Sequence, residues 1–126
     1  MSKRMRELFE QARRDGRKLF IPYITAGYPT MRETVPFLLA AEAGGADIIE
    51  LGVPFTDPLA DGATIQHANT IALEHGISVQ GCFDIVREAR RQGLRAPIVL
   101  VGYYNPLYAR GEERAVAEAK AAGADG

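Results

Sequence analysis

Two carboxylates close together in the sequence have the types and spacing for acid–base chemistry. Glu50 interrupts the apolar segment 47–52, which is typical of a buried strand. A buried carboxylate is costly unless it is ion-paired, protonated or functional, and we favour function. Asp61 follows in the loop 53–62, although its Asp-Gly pair is equally typical of a simple turn. Two carboxylates in different surroundings can hold different protonation states and divide acid and base work.

Aromatic and amide side chains follow two other predicted strands. Tyr23 and Thr25 lie near the end of the first strand, and Tyr103, Tyr104 and Asn105 lie at the end of the third. Parallel α/β structures bind ligands at the carboxyl ends of their strands. An apolar wall with a few polar groups suits a planar aromatic ligand, but rings that simply pack on a neighbouring helix would give the same pattern.

The elements that must position these residues alternate along the chain. Nearly continuous apolar segments predict strands over 19–26, 47–52 and 97–103, and helical spacing predicts helices over about 3–14, 31–43, 64–74, 79–92 and 111–122. Thr30 and Glu33 form a capping-box pair before the second helix. Apolar strands that alternate with helices predict a parallel sheet covered on both faces. Periodicity alone does not choose between an open sheet and a closed barrel.

An internal repeat indicates how the chain continues. Residues 41–47 end a helix in small residues and lead into a strand, and residues 119–125 repeat this pattern. We therefore expect a fourth strand to begin where the sequence ends. On this interpretation residues 1–126 are one partial domain, truncated before the fourth strand.

Composition excludes several classes of function. The 126 residues carry 15 basic and 16 acidic side chains, a net charge of −1, which argues against a general nucleic-acid binder. No apolar stretch approaches the roughly 20 residues of a membrane span, and the N-terminus lacks a signal-peptide core. One cysteine permits no internal disulfide. These features predict a cytoplasmic protein without a membrane anchor.

Other conspicuous side chains have structural interpretations. Cys82 is expected to be a small buried hydrophobic residue, since no base can be assigned to it. His67 and His75 do not have metal-ligand spacing, so no metal site is predicted. A group of arginines is interpreted as a solvated helix face; it comprises Arg87, Arg90, Arg91 and Arg95.

The segment 49–62 resembles the signature of the tryptophan synthase alpha chain family. Segments 22–29, 64–69 and 102–106 also resemble that family, in the same order, so the resemblance covers nearly the whole chain. It implies the N-terminal part of a (β/α)8 TIM barrel, with a cap helix and three βα units. The family's chain is about twice as long, and its phosphate site lies in the other half.

The resemblance also implies an activity and the residues that perform it. The family cleaves indole-3-glycerol phosphate to indole and glyceraldehyde 3-phosphate, a lyase reaction of tryptophan biosynthesis that needs no cofactor in this chain. Glu50 matches the family's acid and base, and Asp61 matches the carboxylate that accepts the indole N–H. The residues expected to bind the substrate are Tyr23, Leu100, Val101 and Tyr103.

The same resemblance implies a protein partner. The family works with a beta chain that contains pyridoxal phosphate, and in some eukaryotes the two are fused; residues 102–106 and 111–114 look somewhat like the fused forms. The residues that match the partner surface are Pro54, Asp57, Pro58 and Asn105. Ala63 departs from the family, which usually has proline there, and this change should loosen the loop modestly.

Two alternatives remain open at the level of sequence. The chain could be a catalytically inactive fragment that only associates with a beta chain or with a complementary half-barrel. It could also belong to a different phosphate-handling barrel, in which Glu50, Asp57 and Asp61 bind a divalent metal.

Overall fold

Three parallel strands and six helices make up the computed structural model, which describes all 126 residues. The strands are β1 Tyr23–Thr25, β2 Ile49–Gly52 and β3 Ile98–Val101. The helices are α1 Lys3–Arg14, α2 Thr34–Ala43, α3 Ala63–Glu74, α4 Val79–Arg91, α5 Tyr104–Arg110 and α6 Glu112–Ala122. None of these helices combines the length and the apolar character that crossing a membrane would require.

The register of the sheet sets which side chains become neighbours. The strand order is β1-β2-β3, with Tyr23 paired to Glu50 and Glu50 paired to Val99. In-register residues of parallel strands point to the same face. Tyr23, Glu50 and Val99 therefore form one row across the sheet.

The two faces of the sheet differ in how they are covered. Alternate strand residues such as Ile49, Leu51 and Ile98 are fully buried in one apolar core against the helices. Cys82 lies in this core, as predicted, and burial raises the pKa of its thiol to about 12. The opposite face, which carries Glu50, is only partly covered. The expectation of a sheet covered on both faces is therefore only partly met within this chain.

Two local features differ from the sequence predictions. Helix α2 begins at Thr34 and has no side-chain cap. The Thr30 hydroxyl donates to the Glu33 carboxylate at 2.8 Å, so the predicted capping box does not form. Strand β3 ends at Val101, and the seven-residue helix α5 follows where continued strand and loop were expected. Pro106 lies in the first turn of α5, where the missing N–H costs nothing.

The two copies of the repeat have the same backbone structure. Gly45 and Gly123 adopt positive φ values of 96° and 101°, the left-handed conformation that ends a helix. After the second copy, the Asp125 N–H donates to Ile98 at 2.8 Å, and the Leu100 N–H donates to Gly126 at 2.9 Å. These two bonds pair residues 125–126 with β3, and the expectation that a fourth strand begins here stays a prediction.

Carboxylates hold the N–H groups at the strand starts. These bonds stabilise the fold, because a buried N–H without an acceptor costs free energy and a charged acceptor forms a strong hydrogen bond with it. The acceptor carboxylates, followed by their backbone donors, are Asp47 with Phe20, Glu42 with Arg95 and Ala96, and Asp125 with Ile98.

Arg90 contacts the segment that follows α6. Its position corrects the interpretation of the arginine group as a solvated helix face. Its guanidinium donates to the Asp125 carboxylate at 2.8 Å, and the two side chains are only 15% and 4% exposed. It also donates to three backbone carbonyls, those of Leu94, Ala96 and Gly123. Arg90 is therefore a half-buried structural residue and not part of a solvated face.

We predict that Arg90→Met lowers the free energy of unfolding by about 2–4 kcal/mol, because three carbonyls lose their Arg90 donor and the buried Asp125 carboxylate keeps only Arg4 and the Ile98 N–H. Arg91→Met is the matched control, since Arg91 is 74% exposed and pairs with Glu88 at the surface; its effect should stay within about 0.5 kcal/mol. Urea unfolding followed by circular dichroism measures both. Equal effects of the two substitutions would contradict the structural role of Arg90.

Candidate functional site

Glu50 lies on the partly covered face without a cationic partner. Tyr23 is its neighbour on β1, and Val99 is its neighbour on β3. Eight ion pairs form in the chain, and none includes Glu50. The structural ion pair that the sequence left open is therefore absent, and the carboxylate is available for chemistry.

A cavity of about 220 Å³ opens at the carboxyl ends of the strands. It brings together Tyr23, Asp61, Val101 and Tyr103, four of the predicted site residues. The remaining lining residues are Val53, Ala60, Asn69 and Gly102. An apolar wall with one carboxylate, one amide and two phenols suits a small planar ligand that presents an N–H or O–H group.

Contacts from two neighbouring segments hold the loop that contains Asp61. The Tyr103 hydroxyl accepts from the Ala60 N–H at 2.8 Å, and its ring lies 5.3 Å from that of Phe55. From α3, the Gln66 amide donates to the Asp61 backbone carbonyl at 2.8 Å. These contacts fix the backbone of Asp61 and leave its carboxylate facing the cavity region.

Asn69 is the one functional candidate that the sequence analysis missed. Its amide donates to the Asp61 carboxylate at 3.5 Å, the outer limit of a hydrogen bond. Asn69 is only 3% exposed, and its carbonyl oxygen is buried without a partner, an arrangement that costs about 1–3 kcal/mol. The signal was present in the sequence, because helical spacing puts this asparagine beside Ala68 and Ala72 on the buried face of α3.

The phenol of Tyr23 is held in its neutral form. Burial raises the pKa of Tyr23 above its ordinary value, and the nearby carboxylates of Asp61 and Glu50 raise it further, against a lowering by a hydrogen bond with Thr25. Near neutral pH this group is therefore a hydroxyl that can donate a hydrogen bond.

Other predicted residues are not part of the cavity lining, and Glu50 is one of them, although its strand neighbour Tyr23 lines the cavity. Leu100 was expected to be a pocket wall, but side chains alternate along β3, so it lies on the opposite face against Val79 and Phe83. Among the residues assigned to a partner surface, Pro54 is buried, Pro58 is half-buried, and Asp57 and Asn105 are exposed.

The structure does not bring together the residues of the alternative metal site. Glu50, Asp57 and Asp61 form no joint ligand group, and nowhere in the chain do three or more His, Cys, Asp or Glu side chains converge to hold an ion. The Asp57 carboxylate instead accepts from the Thr56 hydroxyl at 2.6 Å.

Sequence comparison relates most of the chain to one family. A family model described as the tryptophan synthase alpha chain matches residues 9–126. The chain is 49% identical to the tryptophan synthase alpha chain of Chloroflexus aggregans over 123 residues, which are 98% of this chain and 46% of that protein. It is 48% identical to the tryptophan synthase of Saccharomyces cerevisiae over all 126 residues, 18% of that protein.

Solved structures agree with this relationship. Tryptophan synthase subunit alpha from Legionella pneumophila superposes with a TM-score of 0.95 at 38% identity, over 99% of this chain and 47% of that one. Tryptophan synthase from M. tuberculosis in its aminoacrylate-bound form gives a TM-score of 0.89 at 33% identity, over 96% and 49% of the two chains. The chain spans about half the length of these alpha-chain relatives, and its three βα units form part of the predicted α/β barrel.

We predict that Gly52→Ala displaces Tyr23. A Cβ atom at Gly52 would lie 2.0 Å from the Tyr23 hydroxyl oxygen, so the ring must leave the cavity wall. The free energy of unfolding should fall by about 1–3 kcal/mol, as is usual for overpacking. Combining Gly52→Ala with Tyr23→Leu should recover most of this loss, and urea unfolding of the single and double variants measures it. Additive losses would show that the two residues do not interact.

We also predict a stability change at alkaline pH that depends on Tyr23. Because folding raises the pKa of Tyr23, the folded chain holds the phenolic proton more tightly than the unfolded chain. This contribution is complete below the unfolded pKa of about 10 and is lost as pH rises through the folded value. Tyr23→Phe should therefore lose less stability than the parent chain between about pH 9 and about pH 11. Identical pH dependences in urea unfolding would refute this.

Proposed function

This chain belongs to the tryptophan synthase alpha chain family, and from that premise we propose that its cavity is the acid–base part of a lyase site of tryptophan biosynthesis. The substrate is indole-3-glycerol phosphate, and the products are indole and glyceraldehyde 3-phosphate. The observation that supports this most strongly is the shared cavity of Tyr23 and Asp61, with Glu50 beside Tyr23 in the sheet register.

The reaction needs two proton transfers and one electron sink. The bond between indole C3 and the first side-chain carbon breaks, while that carbon's hydroxyl loses its proton and becomes the aldehyde of glyceraldehyde 3-phosphate. Indole C3 gains a proton, and the ring accepts the bonding electrons. One side chain must therefore work as an acid and as a base, and another must stabilise the positive charge that develops on the ring nitrogen.

Glu50 and Asp61 are suited to these two roles. Glu50 forms no ion pair and lies beside Tyr23 in the sheet register, and we assign it both proton transfers. Asp61 lies in the cavity beside Tyr23 and Val101, and we assign its carboxylate to the indole N–H. The aromatic ring of Tyr103 and the side chain of Val101 then form walls for the indole. These steps require no cofactor from this chain.

The cavity has no side chain that could hold the substrate phosphate. None of its eight lining residues is Lys or Arg. The phosphate site of this family is expected in the other half of the barrel, so the 126-residue chain alone should bind the substrate weakly.

A beta chain, or a fused beta domain, is the proposed protein partner. The beta chain, where pyridoxal phosphate would supply the chemistry of the next reaction, would consume the indole, and we place both reactions in the cytoplasm. The exposed residues Asp57 and Asn105 suit this surface. Beside them, α5 exposes an aromatic pair, Tyr104 and Tyr108, with ring centres 5.8 Å apart; exposed aromatic residues are enriched in protein interfaces.

We predict that Glu50→Gln in the full-length protein lowers the rate of indole release by at least about 100-fold, because proton transfer by a positioned side chain contributes this much or more. Glu74→Gln is the matched control, since Glu74 is exposed at the end of α3. Indole formation from indole-3-glycerol phosphate measures both variants. Substantial turnover by a folded Glu50→Gln protein would remove the assignment.

The alternative is that the 126-residue chain is catalytically inactive and only associates with a beta chain or a complementary half-barrel. The half-length match and the partly covered sheet face favour this for the isolated chain. Assaying the chain alone, with and without beta chain, tests it. Robust indole release by the chain alone would exclude this alternative.

A further inference from the structure

We propose that Asn69 is a positioning residue for Asp61, an inference that rests on the function proposed above. The Asn69 amide is the only side chain of this protein that donates to the Asp61 carboxylate. Tyr103 and Gln66 hold the backbone around Asp61 but leave its side chain free to rotate. The orientation of the carboxylate therefore depends on Asn69.

The burial of Asn69 makes this contact directional. Asn69 is 3% exposed on α3, and that helix packs against β1. Its amide nitrogen lies toward Oδ2 of Asp61, because the reversed amide would put two acceptor oxygens against each other. An asparagine that served only the fold would pair both ends of its amide. Here the carbonyl oxygen has no partner, so the hydrogen bond to the Asp61 carboxylate is the one polar contact that the Asn69 side chain makes.

The contact also divides the work of the two carboxylate oxygens. Asn69 occupies Oδ2 of Asp61 and leaves Oδ1 for the indole N–H of the substrate. The present distance of 3.5 Å is long, as is common for catalytic hydrogen bonds before the substrate arrives. As positive charge develops on the indole nitrogen, the carboxylate must already be oriented toward it, because a misplaced charge stabilises the transition state less.

Asn69→Leu in the full-length protein tests this inference. Leucine has the branched shape and the four side-chain heavy atoms of asparagine, removes the donor, and also removes the unpaired carbonyl. We expect kcat for indole release to fall about tenfold, a loss typical of one hydrogen bond to a charged group, with KM nearly unchanged. The free energy of unfolding should stay the same or rise. Thr70→Ala is the control, since Thr70 is the next residue of α3 and is exposed.

A double-mutant cycle separates a positioning role from a structural one. If Asn69 acts through Asp61, Asn69→Leu has no further effect on kcat in the Asp61→Asn background. A tenfold loss that persists in that background would overturn the inference, as would a folded Asn69→Leu protein with the parent kcat. If Asn69→Leu does not fold, Asn69→Ala is compared in the same way. A parent protein that releases no indole would refute the proposed function instead, so the two failures are distinguishable.

Discussion

Every parallel strand needs acceptors for the N–H groups at its start, and in this chain carboxylates from the helix–strand turns supply them for the two outer strands, β1 and β3. Asp47 and Glu42 serve the segments before β1 and β3, and Asp125 serves β3 itself. These bonds anchor the starts of the strands relative to one another. The register that results puts Tyr23 beside Glu50. The position of the proposed acid–base residue thus depends on contacts at the opposite end of the sheet.

Polar groups are paired at one end of the sheet and partly unpaired at the other. At the strand starts, charges are paired and nearly buried, as in the contact between Arg90 and Asp125. At the carboxyl ends, Glu50 has no ionic partner, and the buried carbonyl of Asn69 has none at all. An unsatisfied buried polar group costs stability, so the unpaired Asn69 carbonyl at this end supports the proposal that binding and catalysis occur there.

Much of this organisation was predictable, and the failures have physical causes. The carboxylate Glu50 within an apolar strand and the positive-φ turn at Gly45 follow from local chemistry, which the sequence displays directly. The face on which Leu100 lies depends on strand register, and a shift of one residue reverses it. Helical spacing puts Asn69 on the buried face of α3, but its contact with Asp61, 8 residues away, comes from the fold and not from a local pattern. Arg90 was assigned to a solvated face for the same reason, because its partner Asp125 lies 35 residues away. Helix α5 is too short to show a clear period.

We propose that these 126 residues contain the acid–base residues of a lyase site, to which the other half of the family's barrel would add the phosphate site. The most direct measurement is indole release by a chimera in which they replace the aligned segment of the Chloroflexus aggregans alpha chain. We expect the chimera to cleave indole-3-glycerol phosphate at a rate comparable to that of the parent alpha chain. A chimera that folds, as judged by circular dichroism, and binds the substrate but releases no indole would contradict the account.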